Sequence, residues 1–374
     1  MSKVNAASRS APSVEAAGRP QSAAYRLIRD LSIAEFAFVM ATGIISAGLW
    51  TIHADLISRI LLVISVAAYV FLGAVHLMRI IWWLPRILSE IVGPNGFSFI
   101  TFTAASNVLS ARFSLADHTT TASILLVIGV TSWIVLGYGV PLGMIAHAKR
   151  HTTLDPVNGT WFIWIVGTQS VAVAAASLAD AFHNYPLEAF AGICWAIGLI
   201  QYLLLAAVEF ARLLLRRIRP SESIAPYWVF MGAAAITIFA GAHLLQLRQV
   251  EHLILPDVVE SLSMIMWSFA TWLIPLLLAL CIWRTFKRHR QIEYRTEWWA
   301  IVFPVGMYGV ASRELGLVNH EHWLIDLGSW DAWLALGVWT AVVLMLIVHE
   351  QHIRWARRIR RGVPDRPANG PSAA

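Results

Sequence analysis

The chain has 374 residues, 58% of them hydrophobic and 13% charged, with a mean hydropathy of +0.64 and a net charge of +6. Soluble domains carry roughly 25% charged residues, so this composition excludes a soluble globular protein and describes an integral membrane one. The two cysteines, Cys194 and Cys281, stand inside apolar runs rather than at a metal or redox spacing and read as packing or lipid-facing residues.

Residues 1–31 are rich in Ala, Ser and Arg, lack the apolar core of a signal peptide and read as a disordered tail. Apolar runs of about 20 residues, the length that crosses a hydrocarbon core as a helix, then recur ten times. The first, 32–52, centres on MATGIISAG, with Thr42 and Gly43. The second, 57–83, is bulky and uniformly apolar. The third, 97–115, carries TFTAASN, with Thr103 and Ser106, and the fourth, 121–147, is again bulky. The fifth, 159–182, holds VGTQSVAVAAAS, including Gly167, Thr168 and Gln169; the sixth is 187–215. MGAAAITIFAGA, with Gly232 and Thr237, marks the seventh, 226–247, and is followed by the eighth at 258–284. FPVGMYGVAS, with Phe303, Pro304, Gly306 and Gly309, lies in the ninth, 298–316; the tenth is 331–350. A basic tail, 352–374, completes a three-part organisation around a membrane domain at 32–351.

Of the 28 basic residues, 24 fall on the side of the spans that holds both termini, and only Arg59, Arg112, Arg248 and Arg313 on the other. Short cationic loops are retained in the cytoplasm. The distribution therefore predicts a cytoplasmic-membrane protein with both termini cytoplasmic, and it accounts for the basic charge without a nucleic-acid partner.

The odd-numbered spans are the small, weakly polar ones, and small residues serve helices that approach one another or face a cavity rather than lipid. The strict alternation predicts an all-α fold of five helical hairpins around a central pore, inner odd helices within outer even ones. Pro304, Gly306 and Gly309 weaken the ninth span, which a bilayer tolerates only where protein or cavity water satisfies the backbone. That segment is expected to kink and face inward, with Phe303 as an apolar plug. The hydroxyls of Thr42, Thr101, Thr103, Ser106, Thr168 and Thr237 would then offer an anion weak donors. No basic residue sits in mid-span, where it would cost several kcal/mol, so a buried cation is not expected to carry selectivity. Gln169 and Asn107 either donate to an anion or tie helices together. His243, near the outer end of the seventh span, is either proton-linked or a satisfied interface histidine. Glu209 is expected to pair with Arg212 and Arg216, and Arg313 with Glu314.

An enzyme would need clustered catalytic or metal-binding groups. His147 with His151, and His320 with His322, lie in loops, and no two histidines share helical i, i+4 spacing in mid-span. A transporter without cofactor or metal is the reading that remains.

FAFVMATGIISAGLW (36–50), NGTWFIWIVGTQSVAV (158–173), YWVFMGAAAITIFAGA (227–242) and WWAIVFPVGMYGVAS (298–312) resemble the tellurite-resistance/dicarboxylate transporter family, which embraces malate permeases, sulfite pumps and plant slow anion channels. The resemblance covers four of the five inner spans. It implies ten helices around a pore, assembly as a homotrimer, and occlusion by a phenylalanine on the ninth helix at the position of Phe303, with Tyr308 and Phe239 as weaker candidates. The substrate implied is a small anion, either a C4-dicarboxylate such as malate or a monovalent inorganic ion; sulfite or tellurite efflux is the alternative.

Overall fold

The computed structural model describes residues 23–147, 154, 157–216, 218, 222–247, 253–288 and 294–362. Expectations that rest on residues 1–22, on Lys149, Arg150, His151 and Arg248, or on 363–374 lie outside the described residues. An N-terminal unit ending at Ser32 contains a short helix, α1 (Ala23–Asp30), where composition alone predicts disorder. Arg29 stands in its last turn, the end at which a helix favours a cation, and pairs with Asp30 at 3.0 Å.

From Ile33 onward the described chain is built of helices: α2 (Phe36–Thr51), α3 (Asp55–Ile91), α4 (Thr101–Ser114), α5 (Thr119–Ala146), α6 (Ile163–Phe182), α7 (Tyr185–Leu215), α8 (Trp228–Gln246), α9 (Pro256–Arg288), α10 (Trp299–Val318) and α11 (His322–Gly362). Each even-numbered helix packs against the helix that follows it, giving five hairpins. The even-numbered helices also pack against one another in order, α2 on α4, α4 on α6, α6 on α8 and α8 on α10, and α10 returns to α2. The five small-residue helices thus form a closed ring, and the bulky ones stand around it.

Burial follows the same division. In four of the ring helices, between 67% and 89% of the apolar window is buried, against 17% to 44% in the five outer helices. Large side chains on the outer helices, such as Leu56, Val127, Leu204 and Ile265, are exposed and form the surface offered to lipid.

Three helices depart furthest from the predicted spans. The α-helical part of the third span has only 14 residues, about 21 Å at 1.5 Å per residue, because the turn-forming Pro94-Asn95-Gly96 brings the chain in through a 3-10 turn, Gly96–Ile100. The second span runs on to Ile91, past a break at Trp83 (φ −135°, ψ 36°) just before Pro85. The tenth begins at His322, nine residues early, because Trp323 to Trp330 already follow a helical path. A 3-10 turn precedes every ring helix, at Ile33–Glu35, Gly96–Ile100, Gly159–Phe162, Ala225–Tyr227 and Thr296–Trp298.

Small residues explain how closely the ring packs. A Cβ on Gly43 would lie 2.9 Å from Val108 of α4, and one on Gly232 would lie 2.8 Å from the ring of Pro304. Gly167 faces Ile100, Gly306 faces Ile44 and Ile45 of α2, and Gly309 takes the carboxylate of Asp331 on α11 against its backbone. Pro304 does not end its helix: α10 is continuous from Trp299 to Val318, and Gly232 gives the proline ring its room.

Candidate functional site

The inner helices enclose a cavity. Ile44 and Ala47 of α2, Asn107, Val108, Ala111 and Arg112 of α4, Ser170 and Val173 of α6, Ile236, Phe239 and His243 of α8, and Met307 of α10 line it, with Leu115 just beyond α4. All five ring helices contribute, so the cavity, which gives the centre of a water-sized sphere about 20 Å³ of room, lies inside the ring. Every lining residue sits near the middle of its helix, in its C-terminal half, or just beyond it. The cavity therefore occupies the half of the ring away from the helix N-termini.

Phe303 precedes Met307 by four residues, one turn and about 6 Å along α10, and residues four apart share a helix face. Its side chain is 2% exposed. Phe303 is thus buried one turn before the cavity-lining Met307 and is not itself among the residues that line the cavity.

Most of the hydroxyls predicted to line a pore are spent elsewhere. Trp339 of α11 donates its indole N–H to Thr42 Oγ1 at 3.0 Å, and Trp133 of α5 donates to Thr168 Oγ1 at 3.0 Å. Ser106 shares a 2.8 Å bond with Tyr69 of α3. Trp195 of α7 donates to the Thr237 carbonyl, and Trp267 of α9 to Ser312 Oγ. The pattern repeats five times: an aromatic donor on each outer helix reaches the ring helix of the next hairpin, and Trp339 closes the circuit onto α2. A buried indole or phenol needs such a partner, and in hydrocarbon the lack of one costs several kcal/mol.

The remaining predicted polar groups hold hairpins together. Thr103 bonds Ser132 of α5 at 2.8 Å, and Gln169 donates to the Trp195 carbonyl of α7 at 3.1 Å. Thr237 Oγ1 returns its proton to Ala233 of its own helix, and Thr101 Oγ1 is bound to the carbonyls of Ser98 and Ile33. Among the residues predicted to line or serve the pore, Asn107, Phe239 and His243 border this cavity; the His243 ring lies 4.4 Å from that of Phe239. Asn107 reaches the cavity wall and donates to Ser170 across the α4–α6 contact at 3.1 Å.

Two expectations about charge need correction. Arg212 pairs with Glu222 at 2.6 Å and also bonds Tyr227, leaving neither oxygen of Glu209 with a hydrogen-bond partner although that residue is 1% exposed. Glu222 wins because it approaches from the connection after α7, free of the helical spacing that fixes Glu209. Arg313 does pair with Glu314, at 3.5 Å, and Gln246 donates to the same carboxylate.

The second correction is Arg112. Reading it as a helix-end residue misses that it is 1% exposed and borders the cavity. Its Nε donates to Ser46 Oγ at 3.0 Å and its Nη2 to Ser58 Oγ at 2.9 Å, while those two serines donate to each other's carbonyls. The Trp50 ring lies 4.5 Å from the guanidinium carbon. The signal was present as three separated residues, and only the α2–α3 turn brings Ser46 and Ser58 to one place.

Comparison with known proteins agrees with this architecture. The family model described as voltage-dependent anion channel, SLAC1, matches residues 30–347. The chain is 24% identical over 333 residues to the uncharacterized transporter MJ0762 of Methanocaldococcus jannaschii, covering 86% of this chain and 95% of that one. Against the uncharacterized membrane protein Rv1735c of Mycobacterium tuberculosis it is 38% identical over 149 residues, 40% of this chain and 76% of the relative. It is 23% identical over 238 residues to the sulfite efflux pump SSU1 of Arthroderma otae, 59% of this chain and 60% of the pump.

Proposed function

This chain belongs to the voltage-dependent anion channel (SLAC1) family, and from that premise we propose that it carries small anions along the axis of its inner ring, past a closure at Phe303. The observation that carries this reading is the cavity bordered by all five ring helices; the buried Phe303, one helical turn before the lining residue Met307, supports its role as the closure. The substrates are C4-dicarboxylates such as malate or monovalent inorganic anions. The polar groups of the ring helices are mostly committed to neighbouring helices, so the axis offers an anion few strong ligands and does not retain it. The favoured assembly is a homotrimer, as the family resemblance implies, and the distribution of basic residues supports a place in the cytoplasmic membrane with both termini inside. Sulfite efflux is the second reading, supported by the likeness to fungal sulfite pumps.

The test is an anion-flux panel in liposomes across malate, sulfite, chloride and nitrate, with the wild-type chain and Phe303→Ala. Opening the closure is expected to raise flux about tenfold, the effect of lowering a barrier by about 1.4 kcal/mol. No flux of any of the four ions from either protein would overturn the reading. The ion that moves fastest decides between the dicarboxylate and sulfite readings.

A further inference from the structure

A cationic side chain buried in a membrane protein is retained only where something compensates it. Arg112 is compensated in part. Two of its three nitrogens are held by serine hydroxyls, and the third, Nη1, is buried with no partner. Among the described ion pairs, none joins Arg112 to a carboxylate. The charged groups that act on it from the start of α3, Arg59 and Asp55, have opposite signs. Trp50 covers the guanidinium, and Arg59 approaches the same indole at 5.8 Å.

The serines do more than neutralise demand. Each gives its own proton to the other's carbonyl, so each presents only lone pairs to Arg112, and the guanidinium is fixed in orientation with Nε and Nη2 turned toward α2 and α3. The donor left over belongs to a residue that borders the axial cavity, and because the exposed wall of that cavity is carbon, Nη1 stands buried behind it and would meet an anion when the side chains around it move. Resting on the transport reading above, we propose that Arg112 is an anion-binding residue: its Nη1 group recruits a small anion into the cavity and holds it there before it passes the level of Phe303. One charge-assisted bond at the edge of the cavity, rather than a full bidentate clamp, gives capture without retention.

The test uses the full chain in liposomes, with nitrate uptake measured as a function of concentration for wild type, Arg112→Lys and Arg112→Gln. Arg112→Gln is expected to raise the half-saturating nitrate concentration about tenfold, and Arg112→Lys, which keeps the charge, to restore part of the loss. Crystals of the wild-type protein soaked in bromide are expected to show an anomalous peak within hydrogen-bond distance of Nη1. The soak needs no variant, so it decides even if Arg112→Gln fails to fold. Half-saturation unchanged in Arg112→Gln, no bromide at Nη1, or bromide there as an adventitious ion only, with saturation unaffected by either substitution, would each overturn the assignment. A wild-type chain that binds bromide at Nη1 but moves no anion would instead refute the transport reading and leave the binding site standing.

Discussion

The two sides of each ring helix are built for different tasks. The side facing the axis is largely apolar, carrying Ile44, Val108, Val173, Ile236 and Met307, with Arg112 as its charged member. The back carries most of the threonines and serines, Ser170 excepted, and four of the five hairpin-to-hairpin bonds use an indole from an outer helix. In a bilayer, apolar burial gives little force for helix association, so packing and interhelical hydrogen bonds must supply it. The difference teaches that weak polarity in a membrane helix can mark its seam as readily as its conduit.

Substitutions on the seam should therefore change stability and leave conduction alone, and the strongest way to break this division is to overfill it. Gly232→Leu would drive a side chain into Pro304 and is expected to cost about 3 kcal/mol, the upper part of the overpacking range, read as a lower thermal midpoint in detergent. If the leucine is accommodated with no loss, α8 and α10 are not as close as described. Trp133→Phe should cost about 1 kcal/mol for the lost bond to Thr168. Combined with Thr168→Val in a double-mutant cycle, it should show a coupling of about 0.6 kcal/mol, as for other hydrogen bonds between membrane helices. Zero coupling would mean that the contact is incidental. The smallest effect belongs to Thr237→Val. Trp195 bonds the backbone carbonyl there and the hydroxyl serves only its own helix, so stability and nitrate flux should both stay within about 0.5 kcal/mol of wild type. A large fall in flux would put the Thr237 hydroxyl back on the axis.

The architecture was legible because it rests on composition. Small residues cluster in alternate spans, and only helices shielded from lipid gain from that, so ring and shell could be told apart before any contact was known. The direction of individual side chains was less accessible. In helices such as α2 and α8, nearly every residue is small or apolar and nearly every one is buried, so a 3.6-residue period has no contrast by which to choose a face. Thr42, Ser106 and Thr168 were recognisable as inner-helix groups but not as acceptors of Trp339, Tyr69 and Trp133. Arg112 was misjudged for a related reason. Its position in the sequence gives its depth along the helix, whereas its burial depends on Ser46, Ser58 and Trp50 from another hairpin.

The ring is sealed by its first and last hairpins. Thr42 and Trp339, which bond across that joint, are 297 residues apart in the chain. During synthesis the first four hairpins enter the bilayer as an open gutter whose two edges have no counterpart. A message cut short before the codon for Trp299 would leave out α10, the ring helix that packs on both α8 and α2, and with it the closure of the ring.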